Sequence, residues 1–184
     1  MKGRFRCSRG FLLLLAALLY LDGCGIVLGG LLACAVHESG HWLVIRLTGG
    51  RVCGLRLTAA GAEMTLDPTR PLTYGGEVAA ALAGPAANLL LAWAAARLGQ
   101  YLLAGLALCF GVLNLLPVFP LDGGRALAFA LTGMELRGAD RGLRAVSAVC
   151  AGALLGLGLA AWRGAGNLTL LCTALWLMRY VLIS

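Results

Sequence analysis

Long apolar runs restrict this chain more than any single motif does. They cover residues 11–21, 24–47, 78–96, 101–116, 145–162 and 168–183. A helix needs about 20 apolar residues to cross a bilayer, so five runs qualify or nearly do and the first is short. Hydrophobic residues make up 60% of the 184 and charged residues 12%. A soluble domain averages about 45–50% and 25%, so this chain lacks the polar surface to coat a water-soluble globule. The expected fold is an all-α integral membrane protein of about six transmembrane helices, the first tilted or not fully crossing.

The net charge of +7 does not point to nucleic acid, because the basic residues flank apolar runs instead of forming a face. With the N-terminus in the cytoplasm and six crossings, Lys2, Arg4, Arg6, Arg9, Arg46, Arg51, Arg56, Arg70, Arg125, Arg137, Arg141, Arg144 and Arg179 lie inside. Only Arg97 and Arg163, of 15 basic residues, fall outside. That asymmetry follows the positive-inside rule and places both termini in the cytoplasm. The basic start followed by an apolar run resembles a signal peptide, but no small-x-small cleavage site precedes Asp22, so a retained helix is expected. The seven cysteines are odd in number and form no CxxC pair. They imply neither a disulfide framework nor a cysteine-based zinc finger.

Residues 51–70 have a different texture. Cys53, Leu55 and Leu57 alternate with Gly54 and Arg56, and Ala62, Met64 and Leu66 alternate with Glu63 and Thr65. This period of two, on both sides of Ala59-Ala60-Gly61, predicts a small cytoplasmic β-hairpin after the second helix. Pairing Leu57 with Ala62 sets Leu55 opposite Met64 and Arg56 opposite Glu63. The segment is either a connector or an edge that receives an extended substrate strand.

Within the second apolar run lies His37-Glu38-Ser39-Gly40-His41. Two histidines four apart project from one face of a helix, with a carboxylate beside them. This HExxH pattern supplies two zinc ligands and a base for the attacking water. Polar groups at membrane depth are costly unless paired or coordinated, which favours a metal site over a packing cluster or a proton relay. A zinc site that does chemistry takes three protein ligands. The candidate third is Asp122, in Asn114-Leu115-Leu116-Pro117-Val118-Phe119-Pro120-Leu121-Asp122-Gly123-Gly124-Arg125. The prolines and glycines there force non-helical backbone, which at membrane depth must be buried in protein or line a wet cavity. In the alternative, Asp122 caps a short helix over 124–131. Asn88 is an amide in an apolar helix and must find a partner: it either serves the substrate backbone or an oxyanion, or bonds a neighbouring helix. Asn114 is expected to brace the loop of Asp122. Cys34, one turn before His37, is expected to pack and not to ligate.

These three elements, HESGH, Gly84-Pro85-Ala86-Ala87-Asn88 and the Asn114-to-Asp122 segment ending in Gly123, resemble the site-2 protease family of intramembrane zinc metalloproteases. The short N-terminal helices and the PLDGG form resemble most its stage IV sporulation factor B-type branch. The resemblance covers residues 11–131, the expected catalytic core, between a basic tail over 1–10 and a helical pair over 132–184. It implies that His37, His41 and Asp122 bind one zinc ion and that Glu38 is the catalytic carboxylate. It also implies regulated cleavage of single-span membrane substrates in a bacterial cell membrane, with room for a regulatory membrane protein as partner. Neither the CBS nor the PDZ domain carried by many members is expected. A membrane metal-ion carrier, or an inactive scaffold using the same site, is the competing class.

Glu38 lies nine residues before Leu47, roughly 14 Å into the bilayer at 1.5 Å per residue, so water must enter from the cytoplasmic side. The orientation is checked by a single cysteine at Glu63 in a background without native cysteines. An impermeant maleimide applied outside should leave it unmodified and should react once the membrane is opened. Ready labelling of intact cells overturns the arrangement.

Overall fold

The computed structural model describes residues 4–58, 61–134, 139–166 and 168–183. It consists of two compact units, Met1–Val112 and Leu113–Ser184. The first holds β1 (Arg4–Cys7), α1 (Arg9–Leu21), α2 (Ile26–Leu47), β2 (Val52–Thr58), β3 (Gly61–Leu66), α3 (Tyr74–Arg97) and most of α4 (Tyr101–Leu115). The second holds the last turn of α4, then α5 (Asp122–Gly133), α6 (Ala139–Ala165) and α7 (Thr169–Ile183).

Every apolar run forms a helix, and the Pro/Gly segment leads into α5, near the short helix over 124–131 that the alternative reading of Asp122 placed there. Among the described residues, two helices, over Tyr74–Arg97 and Arg141–Gly164, are long and apolar enough to cross a membrane. The apolar helices Arg9–Leu21 and Tyr101–Leu115 are shorter. At 22 residues α2 has the length of a span, and its HESGH cluster dilutes its apolar character.

The hairpin forms in the expected register, with Leu57 opposite Ala62, Arg56 opposite Glu63 and Leu55 opposite Met64. The turn residues Ala59 and Ala60 lie outside the described residues. The sheet itself is larger than expected. Arg4–Cys7, read from sequence as part of a basic tail, is a strand that pairs parallel with β2, giving the order β1-β2-β3. Parallel strands need a long crossover, here α1 and α2 together. Four residues whose partner lies 50 positions away carry no local hairpin signal, which is why the sequence shows two strands and not three.

Local chemistry sets the helix ends. Ser8 donates its backbone N–H to Leu57 O at 2.9 Å, while its Oγ caps α1 through Phe11 N at 3.1 Å. One residue thereby ties the sheet to the first helix. At the end of α1 the chain turns on Asp22, whose carboxylate accepts from Val27 N at 2.9 Å, Ile26 N at 3.0 Å and Cys24 N at 3.2 Å. These are orphan amides at the start of α2. α2 closes in a Schellman motif: Gly49 takes φ 89°, its N–H reaches Arg46 O, and Gly50 N donates to Ile45 O at 2.8 Å.

In the first unit α2 and α3 pack along small residues. A Cβ at Gly40 would lie 2.6 Å from Ala83 O and 2.9 Å from the Cβ of Ala87, so the two backbones approach as closely as glycine allows. Ala33, Ala92 and Ala107 are buried together beside Leu91. In the second unit Ala151, Ala174 and Leu177 are fully buried, and a Cβ at Gly158 of α6 would lie 2.8 Å from Leu171 Cα of α7. Both units bury alanine and glycine and leave large residues such as Leu13, Tyr20, Leu90, Trp93, Val149 and Leu157 outward. That pattern suits a lipid surround, where close van der Waals packing holds helices together.

The amides of Asp22's turn, Val27 N–H first, hold its carboxylate below the ordinary aspartate value. A depressed folded value stabilises the fold above the unfolded value and loses that contribution as pH falls through the folded one. Asp22→Ala should therefore lower the thermal midpoint in detergent at neutral pH. The gap to the parent should close in strong acid, and an unchanged midpoint at pH 7 would contradict this role.

Candidate metal centre

α2 carries His37 and His41 on the face that meets α3, and both rings are held from behind by α3. His41 Nδ1 lies 2.7 Å from the backbone oxygen of Ala80. A carbonyl only accepts, so Nδ1 carries the proton and Nε2 presents its lone pair. His37 is 3% exposed, and its Nδ1 lies 3.3 Å from Asn88 Nδ2. Phe110 of α4 packs edgewise on the His37 ring at 4.9 Å between centroids. The two Nε2 atoms face each other 3.0 Å apart.

Gly84 makes room for this arrangement. A Cβ there would lie 2.8 Å from His37 Nε2 and would press still harder on His41 Nε2. The glycine is thus a cradle on which both Nε2 atoms rest, and Pro85 beside it is fully buried. Glu38 is half-buried, one residue beyond His37 on the same helix.

These residues fit zinc. Two imidazole nitrogens on a tetrahedral zinc, at about 2.0–2.1 Å each, stand roughly 3.3 Å apart, close to the separation seen. Imidazole and carboxylate donors suit zinc, whereas magnesium prefers oxygen alone.

In the second unit Asp122 is the first residue of α5, with Leu121 in the cap position, so it does not cap the helix in the way sequence allowed. It is 6% exposed, and Arg125 approaches its Oδ1 at 3.9 Å, one turn along. The segment before it is tightly folded. Val118 N donates to Leu116 O at 2.7 Å and Leu121 N to Val118 O at 2.8 Å, and the Phe119-Pro120 peptide is cis. Gly123 and Gly124 carry α5 against this backbone, since a Cβ at either would lie 2.6 Å from Leu116 O or Val118 O respectively.

Sequence reasoning missed one brace. Ser147 of α6, 3% exposed, donates its Oγ–H to Pro117 O at 3.2 Å and accepts from Phe119 N at 3.5 Å. It steadies both sides of the turn that leads to Asp122. Its only sequence signal was a lone hydroxyl in an apolar helix, which is common and unspecific. Asn114, expected to brace this loop, is half-buried in the last turn of α4. Asn88, expected to serve substrate or a neighbouring helix, is fully buried with its amide turned to His37.

Among solved structures, the site-2 protease from Methanocaldococcus jannaschii is similar to this chain with a TM-score of 0.65. The match covers 91% of this chain and 82% of that one, at 22% identity. The chain has the fold of a site-2 protease. No protein-family model matches the sequence, and no curated protein matches it.

Gly84→Ala tests the cradle. The added methyl forces both imidazoles away, so zinc retention should fall by at least tenfold while the helices still form, read by metal analysis and circular dichroism. Parent-like zinc content would show that the rings do not rest on Gly84.

Proposed function

We propose that this chain is a multi-pass membrane metalloprotease that hydrolyses peptide bonds within or beside the transmembrane segments of membrane-bound substrates. The observation that carries the proposal is the facing pair of histidine Nε2 atoms, 3.0 Å apart and oriented by α3, in a chain with a site-2 protease fold. His37 and His41 hold one zinc ion, and Asp122, the carboxylate that the sequence resemblance implies, is proposed as its third ligand. Zinc, when bound, lowers the pKa of water and polarises the scissile carbonyl.

Glu38 performs the proton transfer. Its carboxylate accepts a proton from the attacking water and returns it to the amine nitrogen as the C–N bond breaks. Being adjacent to His37 in sequence, it is placed by the same helix that places the ligands. A helical substrate hides its carbonyls in its own hydrogen bonds and must unwind before it can react. β3 is an outer strand of the sheet, and its open edge offers backbone partners to the unwound segment. The apolar exterior, the two span-length helices and the arginine asymmetry support six crossings with both termini cytoplasmic. The substrate is then a single-span membrane protein in a bacterial cell membrane, and a further membrane protein regulates its access.

Glu38→Gln should insert and retain zinc yet lose cleavage of a co-reconstituted single-span substrate by about 10²–10⁴-fold, toward the upper end because no soluble base reaches this depth. His37→Ala should lose both zinc and cleavage. Substantial cleavage by Glu38→Gln, followed by gel shift with a chelator control, would overturn the mechanism.

A further inference from the structure

We infer that Asn88 sets the tautomer of His37 by rotating its carboxamide, donating to the ring when the site is metal-free and accepting from it when zinc is bound. Asn88 is thus a positioning residue behind the metal ligand. The inference rests on the zinc reading above and assigns to Asn88 a role other than contact with substrate.

In the orientation observed, Asn88 Nδ2 faces His37 Nδ1 at 3.3 Å. An amide nitrogen only donates, so Nδ1 accepts and the proton of the neutral His37 ring sits on Nε2. That proton points at His41 Nε2, 3.0 Å away, whose lone pair is exposed because His41 Nδ1–H is committed to Ala80 O. The result is one directed chain, from Asn88 N–H to His37, from His37 N–H to His41, and from His41 N–H to Ala80. Among the described residues, the buried Asn88 Oδ1 has no hydrogen-bond partner. An orphaned buried oxygen is costly, and such groups call for an explanation.

Metal binding supplies that explanation. Both Nε2 atoms must offer lone pairs to the ion, so the His37 proton has to move to Nδ1. Nδ1 then donates, and Nδ2 is the wrong partner for it. Half a turn of the carboxamide brings Oδ1 to the same place, where it accepts from Nδ1–H, and turns Nδ2 to the position Oδ1 held. The oxygen and nitrogen ends of an amide have nearly the same shape, so the exchange needs no room. Asparagine is the side chain that serves both states. Leucine can do neither, and a carboxylate can only accept.

The chain contains two histidines, so imidazole-¹⁵N labelling yields spectra of two rings alone. In the full-length protein in detergent, metal-free His37 should be the Nε2–H tautomer and the zinc-loaded ring the Nδ1–H tautomer. Asn88→Leu should weaken zinc binding about 10–100-fold in chelator competition, the usual effect of losing an outer partner of a metal-bound histidine. Asn88→Asp should restore binding and show Nδ1–H on His37 even without metal. Any of three results overturns the inference: one tautomer in both states of the parent, parent-like zinc affinity in Asn88→Leu, or Nε2–H in metal-free Asn88→Asp. A parent protein that takes up no zinc overturns the metal-site reading as well.

Discussion

The contact of α2 with α3 at Gly40 and Gly84 is the constraint on which the site depends. Two helices can share polar side chains across a dry interface only if their backbones come close, and here both carry glycine where the approach is tightest. The consequence is chemical. The Ala80 carbonyl comes within reach of His41, the Asn88 amide within reach of His37, and both Nε2 atoms turn toward each other above Gly84. Larger residues at these two positions would separate the helices and leave imidazoles without partners in an apolar surround, an arrangement costing about 1–3 kcal/mol for each unsatisfied group.

Much of this was legible in the sequence. Apolar runs of near-spanning length fixed where the helices lie. Alternation around 55–57 and 62–64 marked the two strands, since slipping by one residue would move every apolar side chain to the other face; slips of two stayed open, and the structure takes the register with Leu57 opposite Ala62. The four-residue spacing of His37 and His41 placed both imidazoles on one helix face, as found. Less legible were features that depend on long-range partners. Arg4–Cys7 becomes a strand because β2 is there to receive it. Ser147 matters because the Pro117–Phe119 backbone lacks helical partners and a hydroxyl on α6 reaches it. Gly84 stands in the sequence as one residue of the Gly84-to-Asn88 motif; its closeness to both Nε2 atoms comes from the packing of α3 on α2.

The first and second units solve one problem by different means. In the first, helix-to-helix bonds join residues spaced along one seam, His41 to Ala80 and His37 to Asn88, with Gly84 between them leaving room for the rings. Each helix presents one residue per turn to the shared face, so the polar groups stack along the seam. In the second, irregular backbone between α4 and α5 is satisfied by its own turn bonds and by Ser147, with Gly123 and Gly124 letting α5 lie against it.

The two solutions differ in what they allow to move. A helix seam packed at glycine contact is stiff, since displacing either backbone breaks several contacts at once. What can still rearrange inside it without changing volume is a proton on an imidazole ring or an amide about its own bond. The buried Asn88 oxygen and the shared proton between the histidines are those two degrees of freedom. On the proposed zinc reading, a seam built this way would hold His37 and His41 in place before and after an ion arrives and would adjust only its hydrogen-bond directions. That is the economy expected of a site that must accept a charged ion where little water is available to compensate.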